Sequence, residues 1–415
     1  MKNQPRTVVI TGLGIISSIG LNRAEVTRSL REGTSGIILL EERKKLGFRS
    51  GLSGTIRGFS VPAGLGRRYR KTLPEFGLWA WDGVRQCLEQ AAMPMEQLAG
   101  DPRTGLIIGN DSSVVTGVDQ CDILRREGET KPIGSGHIFR LLTSTVSLNL
   151  CTRLQLHGSS WTVSGACASG AMAIGQAAEL IATRRQDRII CGACQEISWQ
   201  SMCSFDALGA FSTLEEQPHQ ASRPFDTGRD GLVPSGGAAL LFLESLESAQ
   251  QRGATILGEV RGYGCSSDGH HISIPTGFGL ERAMVQAMAE AKITPAEIDL
   301  VMAHATSTPT GDKKEAQALQ RLFGSRHKGN RPAIAVTKSL TGHEFWMAGA
   351  SQVVYSLLMS RAGFVAGHPN LDTPDTCVKG LSIPRTSRPL SPTTILCNAA
   401  GFGGVNGALV IRTNQ

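Results

Sequence analysis

Near the middle of the chain a cysteine opens a run of small residues, Trp161-Thr-Val-Ser-Gly-Ala-Cys167-Ala-Ser-Gly-Ala-Met-Ala-Ile-Gly175. A thiol placed where a strand turns into a helix sits at the positive end of the helix dipole, which favours thiolate and makes the sulfur a nucleophile at neutral pH. Alone, such a cysteine also reads as a small buried apolar group. Three further segments concentrate polar chemistry: Ala303-His304-Ala-Thr306-Ser-Thr308-Pro-Thr-Gly-Asp312-Lys-Lys-Glu315, Lys338-Ser-Leu-Thr-Gly-His343, and Asn398-Ala-Ala-Gly401-Phe402-Gly-Gly404. A second cysteine motif, Cys191-Gly-Ala-Cys194, has the spacing of zinc or redox sites. No second ligand pair follows it, and the segment reads as a buried strand of small residues, so no metal site is expected.

These groups need elements to carry them, and the chain reads as a duplicated α/β unit. In the first half, strand candidates at Thr7–Ile16 and Arg103–Gly109 precede Cys167 and its helix, and Ser235-Gly-Gly-Ala-Ala-Leu-Leu-Phe-Leu-Glu244 closes the half. In the second, Ile298–His304 is followed by a strand at Ala333–Val336, a glycine turn, a helix after His343, and Gly403-Gly-Val-Asn-Gly-Ala-Leu-Val-Ile-Arg412. Strands alternating with helices argue for mixed sheets flanked by helices, with a boundary near Gln250–Ala254, giving halves 1–253 and 254–415. Two helix-opening segments at equivalent positions can then face each other across the centre.

Composition fits a large globular enzyme. Hydrophobic residues make up 40% of the 415, enough for one large core or two fused ones. Ten cysteines at irregular spacing, with no cleavable signal, fit a reducing cytoplasm, and no segment is long and apolar enough to span a bilayer. The formal charge of +7 points to nucleic acid, a membrane surface or an acidic protein. Basic residues spread along the chain and an aromatic content of 5% argue against nucleic acid and leave the acidic partner.

Taken in order, the four segments resemble those of the β-ketoacyl-[acyl-carrier-protein] synthases, most closely the type I elongating enzymes of bacterial fatty-acid synthesis. The likeness runs from Val8-Val-Ile-Thr-Gly-Leu-Gly to the last strand. It implies an α/β thiolase-like fold of αβαβα layers, a homodimer or a heterodimer with a related subunit, and a decarboxylative Claisen condensation. Cys167 would hold the acyl group as a thioester, and His304 and His343 would support decarboxylation of malonyl-carrier protein and hold the enolate oxygen. Lys338 would fix this polar network with Glu315. Backbone N–H groups of Cys167 and Phe402 would bind the thioester oxygen, Phe402 also acting as a gate, and Thr306 and Thr308 would hydrogen-bond the phosphopantetheine arm. Phe205, Phe345 and Ala400 would line the acyl pocket. No cofactor is implied beyond the phosphopantetheine carried by acyl carrier protein. Arg67, Arg68, Lys71 and Lys131 match basic positions that face this acidic partner, while Gly128 replaces a further arginine, which would shift docking toward Arg125 and Arg126.

The chain also departs from the family. After His343 a run of small residues becomes Glu344-Phe345-Trp346-Met347-Ala348-Gly349, placing a phenylalanine where the family has an acyl-pocket leucine. At the last motif a phenylalanine becomes Ala400, and Ala305 replaces a glycine. Bulk added to one wall and removed from another implies a volume-conserving exchange and leaves room for a dedicated pathway, such as one making aryl polyenes. A non-catalytic chain-length partner is the alternative reading; retention of Cys167 and both histidines speaks against it.

Overall fold

The computed structural model describes residues 4–62, 65–324 and 331–414. Ten strands build the main sheet: β1 (Val8–Ile16), β2 (Thr104–Gly109), β3 (Ser160–Val163), β4 (Arg188–Gln195), β5 (Gly237–Ser245), β6 (Gly258–Ser267), β7 (Leu300–Met302), β8 (Ala333–Ala335), β9 (Thr394–Ala400) and β10 (Val405–Thr413). The helices that pack on them include α1 (Glu75–Gln90), α2 (Thr145–Leu154), α3 (Ser169–Ala182), α4 (Phe278–Ala291), α5 (Pro309–Phe323) and α6 (Ala348–Ala362).

The strand order is β8-β7-β9-β10-β6-β1-β5-β4-β2-β3. Numbered within each half, both halves therefore run 3-2-4-5-1. The pairing sense repeats too: β2 is parallel to β3 and β4, and β5 antiparallel to β4 and β1, as β7 is parallel to β8 and β9, and β10 antiparallel to β9 and β6. The halves join edge to edge through Val8–Ile10 of β1 and Gly258–Val260 of β6. The sequence boundary near Gln250–Ala254 falls in the link between β5 and β6.

Alternation along the strands makes the layers, because successive side chains point to opposite faces and both faces here are apolar. Leu106, Ile108, Leu240 and Phe242 point out to meet Phe76, Trp79 and Trp81 of α1 and Val146 and Leu150 of α2. Ile107, Leu241 and Leu243 point in, onto α3 and α6. In the second half Val301, Leu396, Ala408 and Val410 point out toward α4 and α5, while Met302, Cys397 and Leu409 point in. Each of these large side chains contributes about 1.5–3 kcal/mol by leaving water. The central helices α3 and α6 cross at small residues. A β-carbon on Gly170 would sit 2.7 Å from the Ala350 nitrogen, and one on Gly349 would sit 2.5 Å from the Ala171 nitrogen. That reciprocal approach brings the openings of both helices to the middle of the molecule.

Ten cysteines are free, and Cys191 and Cys194 lie buried in β4. Among the described residues no helix is long and apolar enough to cross a membrane.

Candidate active site

The nucleophile candidate sits on a turn of 3-10 helix, Ala166–Ala168, between β3 and α3. Ala166 holds φ at +47°, a conformation unfavourable for an L side chain. Its surroundings hold it there: the Asp111 carboxylate accepts the Ala166 N–H, and Ser169 Oγ, donating to the Ala166 carbonyl at 2.6 Å, accepts from Gly165 N at 2.9 Å. Cys167 is buried, with its sulfur 3.2 Å from His343 Nε2.

His343 lies just before α6, on a main chain tied to the first half. Its N–H donates to the Val233 carbonyl at 2.7 Å, and its carbonyl accepts from Ser235 N at 2.9 Å. His304 follows β7. Both oxygens of the buried Glu315 grip its backbone, one accepting from His304 N at 2.7 Å and the other from Ala305 N at 2.6 Å, while Asn398 Nδ2 adds a third bond at 2.8 Å. The two imidazoles meet edge to face with centroids 5.2 Å apart. Ligating atoms of Cys167, His304 and His343 all lie within 4.8 Å of one another.

Burial sets the protonation states. It lowers His304 and His343 well below the ordinary 6.5, helped by the Lys338 charge, so both rings are neutral at pH 7. It pushes the Cys167 thiol up to about 12 against the opposing pull of Lys338. Loss of hydration thus acts against the thiolate that the helix terminus led us to expect. Lys338 opens the short helix Lys338–Thr341 and is buried. No ion pair within 4 Å joins it to Glu315 among the described residues, because that carboxylate is occupied by the His304 loop. Burial lowers Lys338, and Glu344 opposes this most strongly, ahead of Glu315. Glu344 is itself buried and accepts hydroxyls from Ser351 and Tyr355, each at 2.5 Å, and Ser17 at 3.4 Å. Read from sequence, Glu344 was only a departure; here it is a second buried carboxylate whose charge acts on Lys338.

A cavity of about 440 Å³ reaches Cys167, His304, His343 and Glu315. Thr306 and Thr308 line it with their hydroxyl oxygens 3.0 Å apart. Phe402 lines it too and is 41% exposed, as a side chain at an opening would be. The Gly401 backbone lies against the nucleophile turn, where an added β-carbon would come within 3.0 Å of the Cys167 nitrogen. Phe205 stacks on Phe402 at 5.9 Å and tilts against Phe345 at 4.8 Å. Phe345 also lies over His343 at 4.8 Å and holds φ at +41°, a strain of about 1–3 kcal/mol that the packing must offset. Ala400 borders the same cavity but packs with the α4–α5 core, whereas Phe345 packs with Cys167, Met202, Phe211 and Trp346. Ala305, the glycine replacement, holds φ at +25°.

The basic positions are separate from this centre. Arg67 and Lys71 are exposed on the short helix Arg67–Thr72, and Lys71 Nζ donates to Ser135 Oγ at 2.9 Å, near the exposed Lys131. The Arg68 side chain lies outside the described residues. Arg125 and Arg126 are exposed and pair with Asp122 at 3.1 Å and Glu127 at 2.7 Å, so part of the charge they would offer a docking partner is met locally.

Residues 5–249 match the beta-ketoacyl synthase N-terminal domain and residues 257–372 the C-terminal domain. The chain is 40% identical over 410 residues to the 3-oxoacyl-[acyl-carrier-protein] synthase 1 of Haemophilus influenzae, covering 98% of this chain and 99% of that one. It is 39% identical over 409 residues to the enzyme of the same name from Escherichia coli, with the same coverage. The crystal structure of a beta-ketoacyl synthase from Burkholderia phymatum superposes with a TM-score of 0.92 at 32% identity, covering 99% of this chain and all of that one. A type II polyketide synthase acyl-carrier protein in complex with its ketosynthase is similar at 29% identity and a TM-score of 0.88, covering 99% of this chain and all of that one. On both its family domains and its full-length relatives, this chain belongs to the β-ketoacyl synthase family.

Proposed function

We propose that this chain, a 3-oxoacyl-[acyl-carrier-protein] synthase, lengthens carrier-bound acyl chains by two carbons, with Cys167 as the acyl-carrying nucleophile. The observation that carries the reading is Cys167 Sγ at 3.2 Å from His343 Nε2, at the end of a cavity that Thr306 and Thr308 line. As the sulfur attacks the acyl thioester, its proton passes to His343 Nε2 and then to the departing pantetheine thiolate. The carbonyl oxygen turns toward the backbone N–H groups of Cys167 and Phe402. Malonyl-carrier protein then loses CO₂, and the enolate carbon attacks the Cys167 thioester, releasing the thiolate and forming the new carbon–carbon bond. Two neutral imidazoles suit this step. His304 can donate its N–H to the enolate oxygen, and His343 can do so from Nε2 once its single proton has moved from Nδ1 to that nitrogen between the two half-reactions; donors aimed at an oxygen gaining charge stabilise the transition state more than the ground state. Lys338, with Glu344 and Glu315 as counter-charges, supplies a fixed positive field.

The same reading carries acyl carrier protein as partner, docked on Arg67, Lys71 and Lys131, a cytoplasmic setting, and pairing with a second copy or a related subunit. A non-catalytic chain-length role would leave the assembled cysteine and histidines without use. Incubating the purified protein with an acyl-carrier protein and malonyl-carrier protein should give the 3-oxoacyl product two carbons longer, read by mass spectrometry. Cys167→Ala should remain unacylated and give no product. Normal acylation of that variant would remove Cys167 from the mechanism.

A further inference from the structure

Behind the Cys167 sulfur the molecule is filled rather than open. Met202, Phe211, Phe345 and Trp346 are all buried around it. The cavity that reaches the thiol is lined by Phe345 and by Phe205, Ala210 and Leu232 of the same cluster, but by none of Met202, Phe211 or Trp346, which lie behind them. Trp346 packs against Phe345 with centroids 5.6 Å apart, and its indole Nε1 donates to Ser112 Oγ at 3.2 Å. Phe345 is held at positive φ by this packing, wedged between the His343, Phe205 and Trp346 rings.

We propose that Phe345 and Trp346, with Trp346 pinned by Ser112, form a chain-length stop that restricts the acyl group on Cys167 to short chains. The proposal rests on Cys167 being the acyl carrier. A butanoyl group asks for only a few carbons' room beside the thiol, whereas a dodecanoyl chain must displace a buried ring that is braced on three sides, and well-packed interiors resist added bulk. Trp346 is a specificity residue reached only through Phe345. Ser112 is a positioning residue that acts through the indole.

Self-acylation by butanoyl- and dodecanoyl-carrier protein, followed by intact-protein mass spectrometry, tests this. The native protein should acylate with the short chain at least about tenfold faster. Trp346→Ala and Phe345→Leu should each raise the dodecanoyl-to-butanoyl rate ratio by about tenfold. Ser112→Ala, which leaves the apolar packing in place, should raise it about two- to tenfold, the effect of freeing one hydrogen bond. Equal rates for the two chains in the native protein, or an unchanged ratio in Ser112→Ala and whichever ring variant folds, would overturn the stop. Acylation by neither thioester would instead overturn the condensing-enzyme reading and this proposal with it.

Discussion

The two halves solve the same local problem with different residues. Each follows its third strand with a turn of 3-10 helix that opens a central helix: Ala166-Cys167-Ala168 directly before α3, and, after the short helix Lys338–Thr341, Phe345-Trp346-Met347 before α6. Each turn begins with a residue at positive φ, Ala166 at +47° and Phe345 at +41°. Each helix then approaches the other through its second residue, Gly170 or Gly349. By this correspondence Trp346 occupies in the second half the place that Cys167 occupies in the first. A duplicated backbone thus presents two equivalent elbows; one carries the Cys167 thiol and the other the Phe345 and Trp346 rings packed beside it. Strain is common to both elbows, so it belongs to the architecture. Chemistry differs because side chains differ.

Breaking the crossing between the elbows is the strongest test of that equivalence. Gly349→Val and Gly170→Val should each destabilise the protein by on the order of 3 kcal/mol, since the first added carbon already meets backbone nitrogen. Urea unfolding midpoints check this, and clearly unequal losses would show that the helices are not related as the strand order implies. A smaller effect separates the halves by what is inserted into them. The segment between β1 and β2 carries Arg67 and Lys71, and reversing both charges should raise the KM for carrier-bound substrate by about tenfold at low salt, with the defect shrinking as salt is added. A loss of the same size with a small soluble thioester, insensitive to salt, would place docking elsewhere. The smallest effect concerns Ala305 at φ +25°, a backbone conformation easier for glycine. Ala305→Gly should stabilise the fold by up to about 1 kcal/mol in thermal or urea unfolding. Destabilisation would mean the alanine methyl packs well enough to offset the strain.

Strand and helix positions were legible because alternation and small-residue runs are local signals. Cys167 could be singled out as the start of a helix, whereas His304 and His343 stood out only through the order of the motifs that resemble the family, since a lone histidine carries no local signal of its role. What escaped the sequence depends on contacts between distant segments. Asp111 reaches Ala166 from the end of β2, and Ser112 reaches Trp346 across 234 positions. Glu344 sits next to His343 in the chain, yet its role depends on Ser17, Ser351 and Tyr355. The dehydration of the thiol was also hidden. A helix start can be read from residue types, but the dehydration that raises the sulfur to about 12 is a property of the assembled core. The same holds for Arg125 and Arg126, whose charges count as free until Asp122 and Glu127 are seen beside them.

The last strand of the chain is not at the edge of the sheet. β10 lies between β9 and β6, pairing with both along nearly its whole length. Within the sheet β9, which carries Asn398 and leads to Phe402, reaches β6 only through residues 405–413, so a substitution that expels this one strand should abolish activity without touching any residue of the centre.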